Sequence, residues 1–377
     1  MTALTDRELN RALLARQGLL APFDADVPIA EVVRRTGALQ SQQWTTVPIG
    51  LWARTSGFDP AAVWAALDAG DLITGTLLRG TLHVVDAQEY PAYAAHAAAH
   101  LPLARAKGTD PAGLERLAAD LVTACRGTVM SADATRDFAD AWVAEHPDEI
   151  DAAELEQQQA SRWRNLRAHP RLVRVPERGG YGSKTPSHFA AAPRRAALPA
   201  ETAALEVLVR AHLRAFGPAA PADVASWLGT RVSTVQRVVD GADDLEVLAG
   251  PGRGSLVDLV DAPRPDGDVE VPARFLPAFD NVILAYDASR RGRIVRSEDG
   301  PRIWGGRNLR IDPLVLIDGM AAGKWSSAAS RSLATVTVQP FQRVPAAARR
   351  AVEAAAVSLT ALLHPRAADT RVQWSTP

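Results

Sequence analysis

Three carboxamide side chains lie within four positions of the segment ALQSQQW, namely Gln40, Gln42 and Gln43. A carboxamide accepts and donates hydrogen bonds, but it carries no charge and cannot act as a strong base. Glutamine is also a poor metal ligand, so the segment does not predict metal-assisted chemistry. The apolar spacing from Ile29 to Gln40 predicts that the segment ends a helix. A solvated surface is the default interpretation of glutamines at a helix end.

Two further segments contain polar groups that could support an active site. Arg79 and His83 lie in a predicted hairpin that follows the glutamines. His83 either packs beside the glutamine segment or is an ordinary hydrogen-bonded strand histidine. Asp280 and Asn281 follow an apolar run in LPAFDN, where a turn or a helix cap is the default role. We treat His83, Asp280 and Asn281 as candidates for active-site support.

The signatures of several common enzyme classes are absent from the sequence. It contains no P-loop, no G-x-S-x-G and no H-E-x-x-H. The segment GPGRG at 250–254 lies between predicted strands and is better explained as a turn. His96 and His100 have an i, i+4 spacing but no third ligand nearby, and Cys125 is the single cysteine. We therefore expect no metal site and no cofactor.

The composition is that of a folded globular protein with several domains. The chain has 377 residues, 47% hydrophobic and 23% charged, and a net charge of -1. Its N-terminus lacks the apolar core of a signal peptide, and no apolar run approaches the ~18 residues that span a bilayer. We expect a cytoplasmic protein without a membrane partner.

The positive charge is concentrated in two segments although the whole chain is nearly neutral. Residues 161–184 contain six arginines and one lysine against Glu177 alone, and residues 271–310 contain eight arginines against four carboxylates. Such local fields suit a phosphate backbone, although solvated arginines in a chain that uses little lysine are an equally good interpretation. The candidates for contacts with DNA are Arg171, Arg174, Lys184, Arg290, Arg291 and Arg293.

Three successive segments repeat one plan, in which short helices precede two strands joined by a turn. The third is the clearest, because PADVASWLG and RVSTVQRVVD have the spacing of a helix-turn-helix and LEVLAGPGRGSLVDLV follows as a wing. After about residue 263 the pattern changes to strands, closed by a helix from Ala346 to Leu363. We predict an α+β protein of mainly helical content with tandem winged-helix motifs and a β-rich C-terminal domain. The predicted domains are 1–86, 87–200, 201–261 and 262–377.

Five segments in the same order resemble the winged-helix DNA glycosylases of the AlkZ family, within the YcaQ-like superfamily. They are ALQSQ, TLLRGTLHVVDAQEY, FGPAAPADVASWLG, LPAFDNVIL and VLIDGMAAGKW, and the similarity extends over roughly residues 7–345. No single segment is specific, but the ordered set is. The family's catalytic motif of glutamine, apolar residue, glutamine corresponds here to Gln40-Ser41-Gln42, with serine in place of the apolar residue. A related branch has aspartate in the last position.

The resemblance implies a C-shaped arrangement around a DNA channel and a monofunctional DNA glycosylase. It implies hydrolysis of the N-glycosidic bond of N7-alkylguanine, including bulky adducts or interstrand crosslinks, with Gln40 and Gln42 positioning the water. It also implies DNA as the partner of a monomer, with Arg79 added to the candidate DNA contacts. The cellular role would be base excision repair or self-resistance to a DNA-alkylating natural product.

Two other functions are compatible with winged helices. A transcriptional regulator would place residues 231–240 in the major groove and would need a dimer. A non-catalytic protein that binds damaged DNA would retain the fold and release no base. Neither alternative gives the glutamine pair a chemical task.

Overall fold

The computed structural model describes residues 3–177, 188–193, 198–251, 254–304, 310–330 and 332–376. With 45% of the residues in helices and 19% in strands, it confirms the α+β class predicted from the sequence. The described helices are α1 (Asp6–Arg16), α2 (Ile29–Thr36), α3 (Thr46–Trp52), α4 (Pro60–Ala69), α5 (Tyr90–His100), α6 (Ala112–Ala124), α7 (Ala132–Glu145), α8 (Ala152–Ala160), α9 (Glu201–Phe216), α10 (Pro221–Leu228), α11 (Val232–Asp240), α12 (Asn281–Leu284), α13 (Gly300–Trp304) and α14 (Ala346–Leu363).

Strands form three sheets among the described residues. They are β1 (Leu39–Gln40), β2 (Leu72–Thr76), β3 (Leu82–Asp86), β4 (Met130–Ser131), β5 (Leu172–Val175), β6 (His188–Ala191), β7 (Leu245–Ala249), β8 (Ser255–Leu259), β9 (Arg274–Leu276), β10 (Leu314–Ile317), β11 (Met320–Ser330), β12 (Leu333–Pro340) and β13 (Asp369–Trp374). Their orders are β1-β3-β2-β5-β6-β4, β13-β12-β11-β10-β9 and β7-β8.

The chain divides into two units that interleave along the sequence. The larger unit comprises Met1–Leu39, Thr45–Pro60 and Val209–Pro377, and the smaller unit comprises Gln40–Trp44 and Ala61–Leu208. The division into four domains stays a prediction. In the described part of the chain, no helix is both long and apolar enough to cross a membrane.

The larger unit is built on the five-stranded sheet and on a helix-turn-helix with a wing. Burial alternates along β11 and β12, because successive side chains of a strand point to opposite faces. One face packs against α14, whose predicted bounds are confirmed. The shared core consists of Ile49, Phe275, Val315, Trp325, Val336, Val338, Val352, Ala356 and Leu359.

The helix-turn-helix follows the sequence prediction closely. Helix α10 ends at Gly229, whose φ of 72° is the left-handed conformation that glycine adopts without a steric penalty. Helix α11 follows directly, and β7 pairs antiparallel with β8 from Leu245↔Leu259 to Ala249↔Ser255. The two residues at 252–253 of the predicted wing turn lie outside the described residues.

The smaller unit is built on the six-stranded sheet and helices α4 to α8. The hairpin predicted for residues 72–86 is present, with Gly75 paired to His83 and Ile73 paired to Val85. The helical core of the smaller unit has closely packed apolar side chains, many of them on α6 and α7. The buried members are Leu114, Leu117, Ala118, Leu121, Val122, Cys125, Ala139, Trp142, Ile150, Trp163, Leu166 and Leu172.

The structure corrects two local expectations. The helix expected over Ile29–Gln40 ends at Thr36, because Gly37 has a φ of 82°, and Gln40 lies in the short strand β1. After residue 263, where strands are expected, β9 stops at Leu276, and the Asp280 carboxylate accepts a hydrogen bond from the Val282 N–H and caps α12. Residues Ala288–Arg293 form a 3-10 helix.

Candidate active site and DNA contacts

The glutamine segment is held against the first hairpin of the smaller unit. The Ser41 N–H donates to the Leu82 carbonyl at 2.8 Å, and the Leu82 N–H points to Gln42 Oε1 at the long distance of 3.4 Å. Burial alternates, since Gln40 is half-buried, Ser41 is fully buried and Gln42 is exposed. Strand β1 ends at Gln40, and the Ser41 N–H bond continues the contact with the hairpin before the chain bends at Gln42.

The end of the segment is fixed by an aromatic contact that sequence reasoning missed. Trp44 is 3% exposed, and its ring centroid lies 5.3 Å from that of Trp64. Gln43, which lies between Gln42 and Trp44, is exposed. A tryptophan directly after polar residues is the signal that could have indicated an anchor, because large aromatic side chains contribute much of the buried apolar area.

His83 is buried on the second strand of the same hairpin. It is 3% exposed, and its ring Nδ1 lies 3.0 Å from the Thr81 carbonyl. A carbonyl only accepts, so Nδ1 carries the hydrogen and Nε2 is the acceptor position. Burial, with a smaller contribution from Arg79, lowers the pKa of His83 to about 3. The imidazole is therefore neutral at physiological pH, while Arg79 itself is exposed at the tip of the hairpin.

Asp280 and Asn281 lie in the larger unit, in a buried network around Arg54. The Arg54 guanidinium is completely buried and donates to both carboxylate oxygens of Asp280 at 2.8 and 3.0 Å. It also donates to Asn281 Oδ1 at 2.8 Å and to Gln17 Oε1 at 3.1 Å. These contacts are structural, and no motif or spacing in the sequence pointed to Arg54 or Gln17.

The same network holds the end of α2. The side-chain amides of Asn281 and Gln17 both donate to the Thr36 carbonyl, at 2.6 and 2.9 Å. Thr36 is the last residue of α2 and precedes Gln40 by four positions. Asn281 and Gln17 thus fix the helix end from which the chain continues to the glutamine segment.

The predicted DNA contacts near residue 171 differ in their surroundings. Arg171 is exposed, whereas Arg174 is half-buried with its guanidinium 4.0 Å from the centroid of the Phe189 ring. Burial, followed by the charges of Arg167 and Arg164, lowers the pKa of Arg174 to about 10. Lys184 lies outside the described residues.

The arginines at 290–293 are not equivalent. Arg293 is buried, donates to the Pro218 carbonyl at 2.7 Å and stacks 4.2 Å from the Tyr286 ring. This corrects the expectation that its guanidinium is available to DNA. Arg291 stacks 4.6 Å from the Trp304 ring, and Arg290 is partly exposed. Only Arg290 and Arg291 remain as candidates on this helix.

Among the residues that the structure describes, no group of three or more His, Cys, Asp or Glu side chains is placed to hold a metal ion. The rings of His96 and His100 stack with centroids 4.1 Å apart. We interpret the stacked pair as a packing contact, because two histidine ligands would have to direct their ring nitrogens at one ion.

Comparison with known proteins gives the family. The model of the AlkZ-like DNA glycosylases matches residues 33–362. The solved structure of the Streptomyces sahachiroi DNA glycosylase AlkZ has a similar fold, with a TM-score of 0.80 and 20% identity over 99% of this chain and 100% of that one. No curated protein sequence matches the chain. Because the family match spans most of the sequence and confirms the resemblance, the chain belongs to the AlkZ-like family of DNA glycosylases.

Proposed function

We propose that this glycosylase hydrolyses the N-glycosidic bond of N7-alkylguanine in duplex DNA, with Gln40 and Gln42 positioning the attacking water. The observation that carries the proposal is the pattern around Ser41. Its side chain is buried and its N–H is bonded to the hairpin, so the chain between the two glutamines is anchored, with Gln40 half-buried and Gln42 exposed.

Glutamines suit a leaving group that is already charged. A purine alkylated at N7 is cationic, so it departs without strong general-acid catalysis. The enzyme must then position a water at C1′ and stabilise a sugar with oxocarbenium character. A carboxamide oxygen accepts a hydrogen bond from that water and directs its dipole at the cationic sugar, whereas the NH2 group can hold a phosphate or the deoxyribose.

A neutral His83 fits the same electrostatic requirement. Its pKa of about 3 means that no imidazolium charge arises beside the residues that anchor the glutamine segment. A cation there would oppose the developing positive charge on the sugar. His83 therefore supports the segment as an uncharged member of the hairpin.

We assign the remaining candidates to the DNA backbone. Arg79, Arg171, Arg174, Arg290 and Arg291 supply cations that a phosphate can reach or approach, and a monomer suffices for this task. Recognition through the backbone also accommodates bulky adducts and interstrand crosslinks, which cannot easily rotate into a narrow pocket.

The test is base release by a variant in which Gln40 and Gln42 are both replaced with alanine. Duplex DNA carrying 7-methylguanine, and separately an N7-linked crosslink, is incubated with enzyme and analysed for released base and alkali-labile sites. We expect release to fall by at least about a hundredfold, the scale of losing a transition-state hydrogen bond, while DNA binding is kept.

Gln43→Ala is the matched control, because Gln43 is an exposed neighbour of the same type. It should excise the base at nearly the wild-type rate. Undiminished release by the double variant would overturn the role of the pair. Binding without any release by the wild-type protein would identify a damage-binding protein instead.

A further inference from the structure

Two arginines of the smaller unit lie over one buried aromatic ring, that of Phe189. The guanidinium of Arg174 lies 4.0 Å and that of Arg167 lies 5.8 Å from the centroid of Phe189. Arg162 and Arg164 lie on the turn that leads to Arg167, and both are exposed. We call Arg162, Arg164, Arg167, Arg174 and Phe189 the Phe189 cluster.

The turn that carries the cluster has an uncommon backbone. Arg162 and Trp163 both have positive φ angles, 54° and 57°, which non-glycine residues rarely adopt. Trp163 is 1% exposed, and its indole N–H donates to Asp140 at 2.8 Å. This buried anchor holds the turn, and the Arg162 carbonyl accepts a hydrogen bond from Arg167 Nη2 at 2.9 Å. The backbone of the turn and the Arg167 guanidinium are therefore anchored, whereas the Arg162 and Arg164 side chains are exposed.

The positive charge of the cluster exceeds the negative charge of the carboxylates near it. Burial and the charges of Arg136, Arg162 and Arg164 lower the pKa of Arg167, and Asp133 is the carboxylate that opposes them. Asp133 is itself ion-paired with Arg136. Arg167 Nε is shielded from solvent and has no hydrogen-bond partner among the described residues. An anion that approached this group would relieve the repulsion and supply acceptors.

The adjoining cavity is a different environment. It has a volume of about 390 Å³ and is lined by Arg136, Arg162 and Trp163, but also by Asp137 and Asp140. Two carboxylates make it unsuitable for an anion. Neither Arg164 nor Arg167 lines that cavity.

We propose that the Phe189 cluster binds a phosphate of the DNA backbone, through Arg164 and Arg167 and with Arg162 at its edge. Guanidinium groups present forked N–H donors that match phosphate oxygens, and Arg167 lies over the buried Phe189 ring. Since Arg162, Arg164 and Arg167 are separate from the glutamine segment, the contact positions the duplex and takes no part in bond cleavage.

This inference requires only that the protein binds DNA, and not that the glutamines or N7-alkylguanine are correctly assigned. Its test therefore uses an undamaged duplex. The affinity of the wild type and of the double variant Arg164→Gln/Arg167→Gln is measured across a series of salt concentrations. For each phosphate that the variant no longer neutralises, the slope of log K against log [salt] should become less steep by ~0.9.

Arg116→Gln is the matched control within the same unit. It removes the same charge from an exposed arginine that is already ion-paired with Glu149. Its slope should remain that of the wild type. Arg164→Gln alone is the second variant, because Arg164 is exposed and its replacement leaves the half-buried Arg167 in place.

Inorganic phosphate distinguishes DNA from a free anion. We expect phosphate to raise the melting temperature of the wild type more than that of the double variant, alongside the change in slope. A phosphate effect with an unchanged slope would show that the cluster holds a free anion, and it would overturn the assignment to DNA. An unchanged slope without a phosphate effect would also overturn it.

Discussion

Arg54 in the larger unit is completely buried and Arg167 in the smaller unit is half-buried, and the groups around them are opposite in charge. Arg54 donates to the two oxygens of Asp280, to two side-chain amides and to the Gly50 carbonyl. Arg167 makes one hydrogen bond that the structure describes, to a carbonyl, and is surrounded mainly by other arginines. We therefore expect the partners of an arginine, rather than the number of arginines in a segment, to separate a structural charge from one suited to an external anion.

The largest effect should come from removing the partner of Arg54. Asp280→Ala leaves a fully buried guanidinium without its carboxylate, and breaking such a pair costs about 3–5 kcal/mol. We expect the free energy of unfolding, measured by urea denaturation at pH 7, to fall by that amount. Base release per folded molecule should change little.

Asp240→Ala provides the control, because Asp240 is exposed and bonded only to Gln236 among the side-chain contacts described. It should change the stability by less than about 0.5 kcal/mol. A decrease below about 1 kcal/mol for Asp280→Ala would break the comparison, since Arg54 would then not depend on its partner.

An intermediate effect should come from His83, a buried base whose charged neighbour is an arginine. Its pKa is about 3 in the folded protein, against an ordinary value of 6.5. Below pH 6.5 the unfolded chain takes up a proton that the folded chain does not, so stability is lost as the pH falls from 6.5 towards 3. Above pH 6.5 this contribution is constant.

The expected decrease in stability from this one group is about 1.4 kcal/mol per pH unit, or about 2 kcal/mol between pH 6.5 and 5. Urea unfolding of the wild type and of His83→Asn over this pH range measures the decrease, as the difference between the two proteins. The neutral variant keeps a donor for Thr81 and should lose correspondingly less stability on acidification. Parallel pH profiles of the two proteins would show that His83 titrates normally.

The fold was predictable where local sequence signals act alone. Helix α14 and the β2–β3 hairpin have strong periodicity and clear turns, and both have the predicted bounds or nearly so. The end of α2 was not predicted correctly: Gly37 is a local stop signal that the apolar spacing outweighed, and the two amides on the Thr36 carbonyl come from Gln17 and Asn281, which are distant in sequence. A segment whose pattern predicts the end of a helix is therefore partly a strand.

The candidate site shows the same limit. The resemblance identified Gln40 and Gln42 without any knowledge of the strand that presents them, and the charge count pointed to residues 161–184 as a basic segment. The count did not show that Arg293 is buried or that Arg167 and Arg174 flank Phe189. Those facts depend on pairings across the chain, and composition carries no information on them.

The smallest expected effect, that of Arg164→Gln, distinguishes the surroundings of Arg54 and Arg167 most directly. Arg164→Gln removes an exposed cation whose charge lowers the pKa of both Arg167 and Arg174. Without DNA the substitution should be neutral or stabilise the protein by up to about 0.5 kcal/mol, because it weakens repulsion between like charges and breaks no hydrogen bond described for this side chain. Thermal unfolding at low salt measures it, and added salt should reduce the gain by screening the same repulsion. A clear destabilisation would mean that Arg164 has a structural partner, as Arg54 does, and the contrast between the two units would then no longer hold.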